Sequence, residues 1–196
     1  WHLGPFPRPA ADRPAGRHGT FVGDAMEVFA AFFCLPGIVR VLTFLLLYRF
    51  AEAQLLKLVT PFILDPLAAG GLGLKTQNVG IAYGTVGVTA LTVGGLLGGC
   101  VISRVRLKRA LWPLIFSMHV PNVVFVALAL WQPQALALLS VAVGVEKFGY
   151  GFGFTAYMVY MLMVASGPDG HNPHKTTHYA LCTGFMALGM MLPGMW

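Results

Sequence analysis

QALALLSVAVGVEKFGYGFGFTAYMVYMLMVA, residues 134–165, decides the fold class. Glu146 and Lys147 are its only charged residues, and no proline interrupts it. At 1.5 Å per residue, such a run outlasts the roughly 30 Å of bilayer hydrocarbon, so a helix here tilts or extends past the lipid. A barrel strand would need about ten residues of strict alternation. Lipid demands that every amide be paired within the segment or in a closed sheet. The run therefore predicts a transmembrane helix.

Four further apolar runs flank it, at 41–64, 77–102, 110–130 and 177–196. Asp65-Pro66 closes the first, and a glycine-rich loop with Lys75 follows. Ser103 to Arg109 separates the next two, and Trp131-Gln132-Pro133 makes a chargeless turn. Composition agrees with this pattern. Of 196 residues, 57% are hydrophobic and 10% charged, and mean hydropathy is +0.71. Soluble domains average about 25% charged residues, so neither an ordinary soluble domain nor a disordered chain fits. The expectation is all-α: a polytopic transmembrane helix bundle of about five spans over 38–196.

The net charge is +6, and the cations sit at the ends of apolar runs, a membrane-loop bias and not a nucleic-acid footprint. Arg104, Arg106, Lys108 and Arg109 place the 103–109 loop in the cytoplasm. Alternation then puts the N-terminal tail and the 166–176 loop there too. Residues 1–23, rich in Pro, Gly and Arg, read as a flexible cytoplasmic segment. Residues 24–37 read as a short amphipathic connector helix, with Asp24 and Glu27 at capping-box spacing and Met26, Phe29, Phe32 and Phe33 at helical steps. It lies in the membrane plane or packs on protein. The chain starts at Trp1 without a signal-peptide pattern and stops inside an apolar run, so it is expected to be a fragment. Cys34, Cys100 and Cys182 form neither a disulfide framework nor a CxxC pair.

Ionisable residues inside spans cost a few kcal/mol even on the lenient insertion scale. Arg49 and Glu52, three apart, share a helix face, and Glu146 or Lys147 can meet them across the bundle. One reading is a polar path for a hydrophilic solute or protons. The other is ion pairs that only lock helices together. Lys57 can join them or snorkel to the external interface. Tyr150, Tyr157 and Tyr160 offer rings and hydroxyls suited to sugars, or simply pack. Gly84, Gly94, Gly95, Gly98 and Gly99 predict close helix packing. Gly149, Gly151 and Gly153 predict a pliable stretch in the fourth run. His171, His174 and His178 have helical spacing, but Pro173 interrupts it, so no metal site is expected. His178 could titrate near neutral pH. His119 is expected to be satisfied by a backbone carbonyl. No nucleophile elbow, phosphate-binding loop, dinucleotide fingerprint or zinc helix occurs. No enzyme activity, cofactor or ATP use is expected.

Several stretches together resemble AmpG-like permeases of the major facilitator superfamily. These are Leu45 to Ala53 (LLLYRFAEA), Tyr83 to Gly87 with the glycines after it, Phe148 to Tyr157 (FGYGFGFTAY), Lys175 to Ala180 (KTTHYA) and Gly184 to Gly189 (GFMALG). The likeness covers residues 25–196. It implies the carboxy-terminal half of such a transporter, spans seven to eleven of twelve, with the first six spans missing. The basic 103–109 loop resembles the superfamily motif between spans eight and nine, without that motif's usual acidic residue. The 167–173 segment is longer than the family's pattern.

The resemblance implies a secondary active transporter in the bacterial inner membrane. It would take up muropeptides or related small hydrophilic sugar-peptide solutes by alternating access, with protons as coupling ion. Arg49, Glu52, Glu146, Lys147, Tyr150 and Tyr157 are the expected solute- or proton-binding residues. The partners would be the lipid bilayer, the solute, protons and the missing amino-terminal half. A membrane enzyme acting on lipid-linked substrate, or a non-transporting scaffold, is the alternative.

Overall fold

A computed structural model describes residues 21–192; residues 1–20 and 193–196 lie outside the described residues. The described residues form an all-α bundle. Helix α1 spans Phe21–Phe33 and α2 spans Ile38–Leu64. Helix α3 runs Thr76–Val105, α4 Leu107–Trp131 and α5 Leu136–Ser166. Helix α6 runs Lys175–Met191. Helices α3, α4 and α5 are each long and apolar enough to cross a membrane. Helix α2 has the length but carries Arg40, Arg49, Glu52 and Lys57. It joins α1 across an 89° bend at Gly37, whose φ of +75° suits a residue without Cβ. With that bent pair counted as one, four spans meet the criterion. The chain is a multi-pass membrane protein.

Helix α1 departs from the sequence reading in two ways. Helix α1 already runs from Phe21, so residue 24 lies inside it and cannot be the N-cap. The apolar face expected on α1 also splits: Phe32 is fully buried, while Met26, Phe29 and Phe33 are exposed.

Helix α5 is the centre of the packing, and its glycines explain how. A Cβ on Gly151 would run into the Leu91 carbonyl of α3. A Cβ on Gly149 or Gly153 would run into the Ser117 or Leu114 carbonyl of α4. Residues two apart on a helix point to nearly opposite sides, so the GxGxG run lets two neighbours approach one rod from both flanks. The expected pliable stretch is thus corrected: α5 is continuous through it, because glycine here removes bulk between backbones. On α3, Gly94 and Gly98 complete the seam against the Phe148 and Phe152 carbonyls. Gly95 and Gly99 make ordinary contacts beside them. The Thr155 hydroxyl lies 3.1 Å from the Gly95 carbonyl oxygen across the same seam. Gly84 does not belong to it. It is exposed, and a Cβ there would meet nothing within 4 Å.

The apolar core divides along the helices. Val59, Ile63, Leu139 and Val143 belong to a cluster at one end, which Leu72 and Leu74 of the 64–75 loop close. Leu45, Tyr48, Tyr157 and Met161 belong to a second cluster toward the other end. Arg49 and Glu52 of α2 and Glu146 and Lys147 of α5 fall between them.

Candidate functional site

At 1.5 Å per residue, Arg49 stands about 16 Å along α2 from Ile38 and Glu146 about 15 Å along α5 from Leu136. Neither residue lies in the first or last turns of its helix. Arg49 is 5% exposed, Glu52 3% and Glu146 2%. Arg49 Nε lies 3.5 Å from Glu52 Oε2, and Lys147 Nζ lies 3.1 Å from Glu146 Oε1. Each pair comes from one helix, and charge cancels within each.

Tyr150 joins the two pairs. The Arg49 guanidinium donates to its hydroxyl and stands 5.2 Å from its ring centroid. The Lys147 ammonium is 5.4 Å from the same centroid. Arg49 also lies 4.9 Å from the Phe154 ring, and Lys147 lies 5.5 Å from the Tyr83 ring. All are within cation–π reach of about 6 Å. The order is Tyr83, Lys147, Tyr150, Arg49, Phe154, with aromatic rings and cations alternating across α3, α5 and α2. Arg49 further contacts the Met190 sulfur of α6.

Among the described residues, Glu146 Oε2 and the Tyr83 hydroxyl are buried without a hydrogen bond, while Arg49 Nε and Glu52 Oε2 face each other as an ion pair without hydrogen-bond geometry. Burying such atoms unpaired costs stability. An array of acceptors and donors left open between two neutral ion pairs can take up a proton, a water or a polar solute group.

Tyr83 enters the site because residues Gly80–Gly87 form a π-helical stretch within α3. Such wider turns recur at functional sites. Gly80, Gly84 and Gly87 leave few side chains there to oppose widening. The sequence reading did not single out Tyr83, Phe154 or Met190 as site residues. Each reaches the cluster through a contact between helices that linear spacing does not encode.

Tyr157 is placed differently from Tyr150. It is fully buried, its hydroxyl donates to the Leu45 carbonyl at 2.8 Å, and its ring stacks on Tyr48 at 4.6 Å. The Tyr48 hydroxyl donates in return to the Gly153 carbonyl at 2.9 Å. Two tyrosines thus tie α2 to α5 reciprocally beneath the charged cluster, and the Tyr157 hydroxyl is already engaged. Tyr160 packs against Phe44, with ring centroids 4.6 Å apart. His119 stands edge-on to Tyr48 at 5.7 Å. Among the described residues its Nδ1 is buried without a hydrogen bond, not bound to a carbonyl as expected. Lys57 is exposed on the far half of α2. Among the described residues, no His, Cys, Asp or Glu group is arranged to hold a metal ion.

The chain is similar to several bacterial permeases. It is 27% identical to the anhydromuropeptide permease of Escherichia coli K12 over 156 residues, covering 79% of this chain and 29% of the permease. It is 24% identical over 153 residues to a Rickettsia prowazekii protein named as transporter AmpG 1, covering 77% of this chain and 31% of that protein. A Rickettsia conorii protein named as transporter AmpG 4 is 24% identical over 169 residues, covering 86% of this chain and 38% of its own length. The chain spans about a third of the length of the curated relatives it matches. No family model matches it, and no solved structure matches it.

Proposed function

We propose that this chain is part of a secondary membrane transporter that carries small hydrophilic solutes by alternating access, with protons as coupling ion. The solute class is muropeptide or a related sugar-peptide, by analogy with the E. coli relative named as an anhydromuropeptide permease. In this reading the chain supplies the carboxy-terminal half, and a further set of spans completes the cavity between two halves.

One observation carries the proposal: two ion pairs that share Tyr150, buried between long, largely apolar helices. Intramembrane ions of this kind face a bundle interior or a watery cavity. Arg49 and Lys147 would hold anionic groups of the solute. Glu52, beside Arg49, and Glu146, whose Oε2 is outside its ion pair, would accept the transported proton. Tyr150 would order the two pairs, and Tyr157 would back them through its tie to α2.

Uptake of radiolabelled anhydromuropeptide into proteoliposomes, with this chain in its full-length transporter, tests the reading. Glu52→Gln and Glu146→Gln are each expected to abolish the response to an imposed proton gradient. Unchanged gradient-driven uptake in both variants rejects the assigned roles.

A further inference from the structure

A second polar constellation sits at the end of the bundle that carries the basic 103–109 loop, away from the charged cluster. There a cavity of about 280 Å³ is bordered by Ala31, Leu35, Ser166, Asp169, Asn172 and His178. Asn172 organises it. Its amide nitrogen donates to the Ala165 carbonyl at 2.8 Å, and its oxygen accepts from the His174 N–H at 3.0 Å. Turning the amide over would set oxygen against oxygen and N–H against N–H at those two backbone partners, so its orientation is settled. The same nitrogen lies 2.8 Å from His178 Nδ1. Nδ1 is therefore the unprotonated acceptor, and the ring proton sits on Nε2.

His178 is 2% exposed. Its ring meets Phe32 of α1 edge-on at 5.3 Å, and Phe32 in turn stacks on Phe185 at 6.1 Å. One neutral imidazole thus connects the 167–174 loop, α6 and α1. A second ring proton would land on Nδ1 and point at an NH2 group, and burial of the ring, which disfavours its charged form, outweighs the Val28 backbone carbonyl of α1 beside it. Among the described residues, no carboxylate hydrogen-bonds to the ring. The charged and titratable groups around it are Asp169 and His171 of the loop, His174, whose ring is 6.0 Å away, and Lys175 one turn earlier on α6. Helix α1 presents Phe32 and the Val28 backbone carbonyl, and α5 presents Ser166 and the Ala165 carbonyl.

The geometry points to a proton-sensitive clasp: protonation of His178 breaks its hydrogen bond with Asn172 and frees the 167–174 loop and α1 from the end of the bundle. This stands independently of the transport reading. The closed clasp excludes the proton and the open one accepts it. The open-to-closed ratio therefore rises by up to about tenfold per pH unit as pH falls below the ordinary imidazole value near 6.5, and it is flat above it.

The test uses the full chain in lipid nanodiscs, with Cys100→Ser and a fluorophore on exposed Cys34, just past α1; Cys182 is buried. Fluorescence anisotropy between pH 8 and pH 5 reads the mobility of α1. The wild-type anisotropy should fall below about pH 6.5. His178→Gln keeps an acceptor that does not titrate, so its curve should be flat at the wild-type pH 8 level. Asn172→Asp offers a carboxylate to the imidazolium, so its response should invert and α1 should tighten in acid. His171→Gln should leave the wild-type curve in place. A flat wild-type curve overturns the clasp without any variant being needed. So does a pH response that persists in His178→Gln.

Discussion

Replacing Glu146 by Gln deprives the Lys147 ammonium of the carboxylate 3.1 Å away, at a site where the two side chains are 3% and 14% exposed. At that separation and an effective dielectric near 20, the Coulomb term is about 5 kcal/mol. The isolated cation left behind has the Tyr83 and Tyr150 rings as neighbours, each contributing about 1–2 kcal/mol. Glu146→Gln should therefore destabilise the bundle by about 3 kcal/mol. Lys147→Met should cost a similar amount, by stranding the carboxylate. The double variant Glu146→Gln/Lys147→Met strands nothing and should cost about 1 kcal/mol. The interaction energy of the cycle is then about 5 kcal/mol, matching the Coulomb term. Reversible SDS unfolding in bicelles, followed by far-UV circular dichroism, measures all four proteins. A double variant that loses the sum of its singles would refute the pairing and with it the argument that these ions are tolerated because they neutralise each other. A double variant that folds like wild type would show that the pair costs the fold as much as it contributes, which is expected of groups kept for function.

The glycine seam yields a contrast within one chemistry. Gly151→Ala should destabilise by about 1–3 kcal/mol in the same titration, because its methyl meets backbone and not a movable side chain. Gly84→Ala, in open space, should be neutral or stabilise by up to about 1 kcal/mol through helix propensity. For the reciprocal tie, Tyr48→Phe and Tyr157→Phe should each cost about 1 kcal/mol, one buried hydrogen bond apiece, with ring stacking retained. A loss in either variant no larger than that of an exposed-site control would remove the tie from the account.

The helical runs were legible because membrane-length apolarity is a local property that any window of sequence displays. The Arg49–Glu52 pair was legible too, since three-residue spacing on a helix guarantees a shared face. So was the seam at Gly94 and Gly98, since small residues one turn apart mark close approach. The GxGxG run of α5 was not. In linear sequence, consecutive small residues read as weakness, and only the presence of α3 on one flank and α4 on the other turns them into two seats. Tyr83 was hidden for a related reason: a π-helical stretch rotates the residues inside it away from the 3.6-residue register on which pattern reading depends.

Linear order determined that this chain folds in lipid as helices and that ionised side chains would have to be held within them, because hydropathy and helical spacing act over one or two turns. Which ions share a neighbour was decided only when α2, α3 and α5 packed. Tyr150 lies 101 residues from Arg49, and the tie from Tyr157 to Leu45 spans 112. Contacts of that kind depend on the crossing and register of rigid rods, which backbone-to-backbone glycine seats set and which no local stretch of residues specifies.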